Sequence, residues 1–281
     1  MKCKIKFNYL FFLKMKKMKT KEDKVVWITG ASSGIGEALT YELNRKGYKL
    51  IISSRKVKDL QLVKDRCPNG DFISILPLDL IDMDNMAEKV TEAMSYYGSI
   101  DILINNAGIS QRSLIMDTDL EVYKKLMEVN YMGTITLTKA ILPYFVSLQK
   151  GHFVTVTSLM GKFGSPYRSG YCGAKHALHG FFDVLRMEHE KDNIKVTLVC
   201  PGFVNTNVAV NALTANGTPQ VDNDMATKNG LSPYVFSKKM VKAIEREKFE
   251  VYIGRKEVMG IYLKRFLPKL LHKVVLRNKV R

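Results

Sequence analysis

The sequence predicts an α/β fold: a single doubly wound parallel sheet with helices on both faces. Three observations carry that expectation. Strand-like and helix-like segments alternate from about residue 24 to residue 255. The strand-like runs are apolar on both sides, as strands covered by helices on each face must be. A glycine-rich turn, TGASSGIG (29–36), stands between the first strand and the first helix. Unpaired N–H groups and the positive end of a helix dipole favour a phosphate there.

Each element follows from its local pattern. VVWITG (25–30) is a short apolar run ending in glycine and reads as a buried strand. Residues 34–47 read as a helix, with Leu39 and Leu43 at helical spacing and a glycine stop. KLIISSR (49–55) is a second strand, and the helix VKDLQLVKDRC after it turns Leu60 and Val63 inward. DFISILPLDL (71–80) predicts the third strand, MDNMAEKVTEAMSYYG the third helix and IDILINNAG (100–108) the fourth strand. A long helical region, about 120–149, precedes a fifth strand, GHFVTVTSL (151–159). The helix bearing Tyr171 runs to about Lys191, and IKVTLVCPG (194–202) is the sixth strand. YVFSKKMVKAIEREK gives a further helix and FEVYIG (249–254) the last strand. The polar stretch 205–232 is expected to form a mobile flap, a short helix over 208–213 being the alternative for that part. The expected organisation is one domain over 23–255, a basic extension at 1–22 outside the fold and a basic tail at 256–281.

The bulk numbers set limits. A chain of 281 residues, 46% hydrophobic, can bury a sizeable core. Its net charge of +17 is uneven: residues 1–24 carry +7, residues 255–281 carry +8, and the body between them only +2. A nucleic-acid groove would need charge built into the fold, so that partner is not expected. Basic ends point to an anionic surface or to solubility. Cys3, Cys67, Cys172 and Cys200 fit neither a zinc spacing nor CxxC, so no metal site is expected and a reducing compartment is. No run reaches the ~18 apolar residues of a membrane span. FNYLFFL (7–13) is short and lacks a small-residue cleavage site, so it does not read as a signal peptide. Met15 and Met18 are alternative translation starts. The expected location is the cytoplasm, with the tail a candidate for contact with the inner face of a membrane.

YCGAK (171–175) carries the chemistry. Positions i and i+4 share one helix face, so Tyr171 and Lys175 point the same way, with three small residues between them. A neighbouring cation favours the phenolate and lowers a tyrosine's pKa, which makes a usable proton donor. A surface Tyr–Lys pair on a helix is the plainer alternative for these five residues.

TGxxxGxG at 29–36, NNAG at 105–108, Ser158, YxxxK at Tyr171 and Lys175, and PG at Pro201 and Gly202 occur in that order. Together they resemble the short-chain dehydrogenase/reductase family, over roughly residues 24–255. The spacing also fits: Ser158 follows Asn130 by 28 residues and precedes Tyr171 by 13. The resemblance implies a Rossmann fold and a catalytic set of Asn130, Ser158, Tyr171 and Lys175. Tyr171 would exchange a proton with a carbonyl oxygen as hydride moves, and Ser158 would hydrogen-bond that oxygen. Lys175 would hold the nicotinamide ribose and keep the tyrosine acidic, while Asn130 would hold a water linking Lys175 to solvent. For the cofactor it implies Gly30, Ser32, Ser33, Gly34, Ile35 and Gly36 at the pyrophosphate. Asp79 and Leu80 would lie at the adenine, Asn106, Ala107 and Gly108 along the adenosine, and Pro201, Gly202, Val204 and Thr206 at the nicotinamide.

The end of the second strand bears on the choice of cofactor. An acidic residue there would bind the ribose 2′-hydroxyl of NAD. Ser54 holds that position, followed by Arg55 and Lys56, cations that suit a 2′-phosphate, so NADP(H) is expected. The alternative is a solvated loop pair. In the tail, apolar pairs recur from Val258/Met259 to Val274/Val275 with Lys264, Arg265, Lys269, Lys273 and Arg277 between them, interrupted by Pro268. Such a basic amphipathic helix either lies on an anionic membrane or packs against the body or a sister subunit. Relatives commonly pair through long helices matching 120–149 and 171–191, so a homodimer or homotetramer is expected. Val208, Val210 and Leu213 of the flap suggest an apolar substrate carrying a carbonyl or alcohol, lipid-like if the tail meets a membrane. A 3-oxoacyl reductase and a non-catalytic NADP-binding scaffold are the alternatives.

Overall fold

The structure, a computed structural model, describes residues 23–222 and 224–277. The expected extension at 1–22 lies outside the described residues. Seven strands form one parallel sheet in the order β3-β2-β1-β4-β5-β6-β7. They are β1 (Val25–Thr29), β2 (Lys49–Ser53), β3 (Ile73–Ile75), β4 (Ile102–Asn105), β5 (Gly151–Val156), β6 (Ile194–Pro201) and β7 (Glu250–Ile253). The helices are α1 (Gly34–Arg45), α2 (Val57–Asp65), α3 (Met86–Tyr97), α4 (Leu120–Met127), α5 (Gly133–Ser147), α6 (Ser169–Glu188), α7 (Met225–Lys228), α8 (Pro233–Glu245), α9 (Met259–Phe266) and α10 (Pro268–Arg277). Strand order reverses at β1, so connections leave β1 and β4 in opposite directions and a crevice opens at their carboxyl ends.

Residue alternation along the strands feeds two cores. Val26 and Ile28 pack with Leu39 and Leu43 of α1, Leu60 of α2 and Phe236 and Met240 of α8. Val25 and Trp27 pack on the opposite face with Val90 of α3, Ile141 and Phe145 of α5, and Phe182 of α6. Burying one such side chain contributes about 1.5–3 kcal/mol. The Trp27 indole N–H donates to Ser53 Oγ at 2.8 Å, which satisfies its one polar atom. Strands that feed both cores must be apolar throughout, which is why the periodicity of each strand is hidden in the sequence.

Several elements are shorter than their patterns. The third strand ends at Ile75, although Leu76 and Leu78 still donate to Ile52 and Ser54. Pro77 between them has no N–H to give. The fourth strand ends at Asn105 because Asn106 and Ala107 turn their N–H groups to the Thr29 hydroxyl, both at 3.1 Å. The long helical region is two helices joined by a π-turn at Glu128–Met132. Over 208–213 no helix forms; the bond from Asn211 N to Asn207 O closes a single turn.

The flap is pinned rather than loose. Leu213 exchanges backbone bonds with Ser110 and Arg112 at 2.9 and 2.8 Å, and Arg112 forms a buried ion pair with Asp224 at 2.8 Å. The tail packs on the body through one face. Phe163 stacks against Gly260, where a Cβ would come within 2.7 Å of its ring. Leu271 is buried in a cluster with Leu159, Phe163 and Cys200. The other face leaves Tyr262, Phe266, Leu267 and Leu270 exposed. Among the described residues no helix is long and apolar enough to cross a membrane.

Candidate active site

A cleft of about 1330 Å³ lies at the carboxyl ends of the strands, running from the Gly30 turn past Tyr171 to the tail. Its first wall is the turn between β1 and α1. Gly30 has φ +65°, and a Cβ there would meet Ala107 Cα at 2.7 Å. Only glycine lets β1 turn this sharply while lying against the start of the β4 loop. At Gly36 a Cβ would meet Gly30 O at 2.1 Å, so that glycine seats α1 against the turn. Asn106 clamps the same turn, its amide donating to Thr29 O and Gly30 O at 3.0 and 3.1 Å. This cradle of bare backbone at a helix N-terminus is the kind of surface a pyrophosphate fits.

Most of the expected cofactor set lines this cleft: Gly30, Ser32, Ser33, Gly34, Ile35, Arg55, Lys56, Asp79, Leu80, Asn106, Ala107, Gly108, Pro201, Gly202, Val204 and Thr206. Gly36 does not; it acts from behind the turn. Val204 sends its side chain into the core, which leaves its backbone for the cleft. At the end of β2, Arg55 and Lys56 are exposed and Ser53 and Ser54 line the wall. Asp59 also lines the cleft there, 4.0 Å from the Lys56 ammonium, and Asp79 follows Leu78, whose N–H donates to Ser54 O.

Ser158, Tyr171 and Lys175 line the same cleft, the Ser158 hydroxyl bonding the Tyr171 phenol. Ser158 follows β5 and accepts from Met160 N at 3.0 Å. Tyr171 lies in the first turn of α6, and Lys175 Nζ sits 5.9 Å from its ring centroid. The electrostatics differ from the expectation in one respect. Burial pushes the Tyr171 phenol up, and the Ser158 hydroxyl, Arg112 and Arg168 pull it back only in part. Burial also pushes Lys175 down, to about 8. Its ammonium donates to Val156 O at 2.9 Å.

Asn130 lies between α4 and α5. It sits in the π-turn and does not line the cleft. Its side chain is closed on Ile109, accepting from Ile109 N at 2.8 Å and donating to Ile109 O at 2.9 Å. A Cβ on Gly108 would meet Asn130 Oδ1 at 2.8 Å and Lys175 Nζ at 3.5 Å, so the three converge. Asn130 thus fixes the loop beside Lys175, and its main-chain carbonyl, which accepts from Thr134 at 3.1 Å, keeps a second lone pair for a water.

Three features were not legible in the sequence. Gln111, fully buried, accepts from Gly170 N and Tyr171 N at 2.8 and 3.3 Å and so caps the helix that carries the tyrosine. The tail lines the cleft mouth through Met259, Leu263, Val274 and Val275. Behind Lys175, His179, Cys200 and Glu250 bring their ligand-type atoms within 4.8 Å of one another. Lys162 holds that carboxylate at 2.7 Å, and burial raises the Cys200 thiol to about 12.

Fold and cleft define a dinucleotide-binding oxidoreductase architecture, and comparison with known proteins narrows it. The profile described as short chain dehydrogenase, adh_short, matches residues 24–217. The human protein "Dehydrogenase/reductase SDR family member 7" is 41% identical over 253 residues, which cover 88% of this chain and 75% of that protein. A short-chain dehydrogenase/reductase from Burkholderia phymatum, solved in complex with NAD, aligns with a TM-score of 0.78 at 20% identity, covering 94% of this chain and 98% of that one. ElxO with NADP bound aligns at 0.69 and 22%, covering 82% and 96%. The chain belongs to the short-chain dehydrogenase/reductase family of oxidoreductases.

Proposed function

We propose that this chain is an NADP(H)-dependent oxidoreductase that interconverts a carbonyl and a secondary alcohol on an apolar substrate. The observation that carries the reading is the convergence of Ser158, Tyr171 and Lys175 in the cleft that begins at the Gly30 turn. Bound dinucleotide supplies hydride to the carbonyl carbon or accepts it from the alcohol. Tyr171, held neutral by burial, donates its proton to the carbonyl oxygen in reduction and takes one back in oxidation. Ser158 donates a hydrogen bond to the same oxygen and orients it. Lys175 is the residue to hold the nicotinamide ribose, and with its pKa near 8 it can also return a proton to Tyr171. Arg55 and Lys56 favour the 2′-phosphate, since no carboxylate follows β2 directly. Leu213 of the flap and Leu263 and Val275 of the tail suit an apolar body.

The test is a panel of ketones, including a 3-oxoacyl ester, followed at the nicotinamide absorbance with NADPH and NADH in parallel. NADPH should be preferred by about tenfold or more, and Tyr171→Phe should lower turnover by about 10²–10⁴-fold. Preference for NADH would overturn the Arg55 argument. Turnover unchanged in Tyr171→Phe would remove the proton donor.

A further inference from the structure

The cleft holds a charge that the proposed reaction does not use. Arg112, Arg168 and Asp224 are 4, 4 and 5% exposed. Each nitrogen of Arg112 has a partner: Nε and Nη2 donate to Asp224 Oδ2 at 3.2 and 2.8 Å, and Nη1 donates to Ser110 Oγ and Gln111 O at 2.9 and 2.7 Å. Asp224 spends its other oxygen on Thr227 N at 2.7 Å. Arg168 is left with less. Its Nη1 donates to Ser165 Oγ at 3.3 Å, and its Nη2 lies 3.7 Å from Asp224 Oδ2. That Nη2 is buried and has no hydrogen-bond partner among the described residues. Two guanidinium groups face one carboxylate, so the cluster holds one uncompensated positive charge. A buried charge without a full partner is costly and invites an anion.

The position of this charge gives it meaning. Arg168 directly precedes α6 and Tyr171 lies in the first turn of that helix. Arg112, Ser165, Arg168 and Tyr171 line the same cleft. We propose that Arg168 binds a carboxylate carried by the substrate whose carbonyl rests on Tyr171. A carboxylate matches the planar guanidinium and forms a charge-assisted bond, the stronger for being out of water. Toward the tail the cleft offers apolar side chains at Leu263, Leu271 and Val275, beside Lys256 and Glu257. The substrate class is therefore an amphiphilic oxo or hydroxy acid, with an apolar body at the mouth and its acid group beside the reacting carbon. This rests on the oxidoreductase reading for the identity of the site, but not for the binding of the acid.

Calorimetric titration of the full chain with decanoate and with decanol tests it without turnover. Decanoate should bind about 10- to 100-fold more tightly than decanol. Arg168→Gln should erase that preference and Arg168→Lys should keep part of it. Equal affinities in the wild type overturn the proposal, as does a preference that survives in Arg168→Gln, which would place the acid on other cations. If Arg168→Gln fails to fold, the wild-type contrast and the lysine variant still decide. A parallel assay of NADPH oxidation with an oxo fatty acid and its methyl ester separates the two readings. Turnover of neither would sink the oxidoreductase reading and leave the binding result to judge Arg168.

Discussion

Lys175 carries the sharpest electrostatic conflict at the scale of single residues. Its ammonium is buried, holds one bond to Val156 O, and is pulled by desolvation from 10.5 to about 8. Between those two values the unfolded chain binds more protons than the folded one, so this group's contribution to stability rises with pH from about 8 to about 10.5. Thiols act the other way above 9, because burial raises Cys67 to about 11 and Cys200 to about 12. The measurement is therefore a difference: urea unfolding of wild type and Lys175→Met at several pH values across the window. Wild type should gain on the variant as pH rises, and a pH-independent gap would show that burial does not strain the lysine. The shared helix face of Tyr171 and Lys175 was legible from spacing, and the other motifs in order singled it out. Which way the phenol shifts was not, because desolvation depends on what the fold lays over it.

At the scale of elements, α6 is the working part, and its first turn is set by a residue four segments earlier in the chain. Gln111 reaches from the loop after β4 to the N–H groups of Gly170 and Tyr171, donors that a helix start leaves unpaired. Gln111→Leu strands both in a buried place, at about 1–3 kcal/mol for each donor left unpaired. The variant should melt several degrees lower and lose kcat more than cofactor affinity, since the Gly30 turn is untouched. Unchanged kcat with a lowered melting temperature would reduce Gln111 to a purely structural role. Nothing in the sequence marks Gln111, which lies in a polar loop without period. By contrast, α1, α2 and α3 were legible because each buries one stripe at helical spacing. The third strand was overdrawn because apolar residues continue past Pro77, where the backbone pattern changes.

For the whole molecule, the tail packs on the body through one face and leaves the other exposed, so the two alternatives of the sequence are compatible. One face of α9 and α10 closes the cleft mouth. Its other face exposes Phe266, 73% accessible, and Leu270 among Lys264, Arg265, Lys269 and Lys273. That combination suits an anionic lipid surface, and it would place the cleft mouth where an apolar substrate partitions. In liposome flotation the full chain should rise with phosphatidylserine vesicles and less with neutral ones. The double variant Phe266→Glu, Leu270→Glu should rise less, with its fold kept because both positions are exposed. Equal flotation of the two forms would reject the membrane role.

The sequence by itself determined the strand–helix alternation, the phosphate turn and the Tyr171–Lys175 pair, because each rests on residues near one another along the chain. Only the tertiary structure decided that Gln111 holds the tyrosine's helix, that Asn130 closes on Ile109, that the tail walls the cleft and that Arg168 is left short of a partner. Those relations join residues from about 20 to more than 100 positions apart, and no local pattern encodes a contact that exists only once the sheet brings its carboxyl ends together.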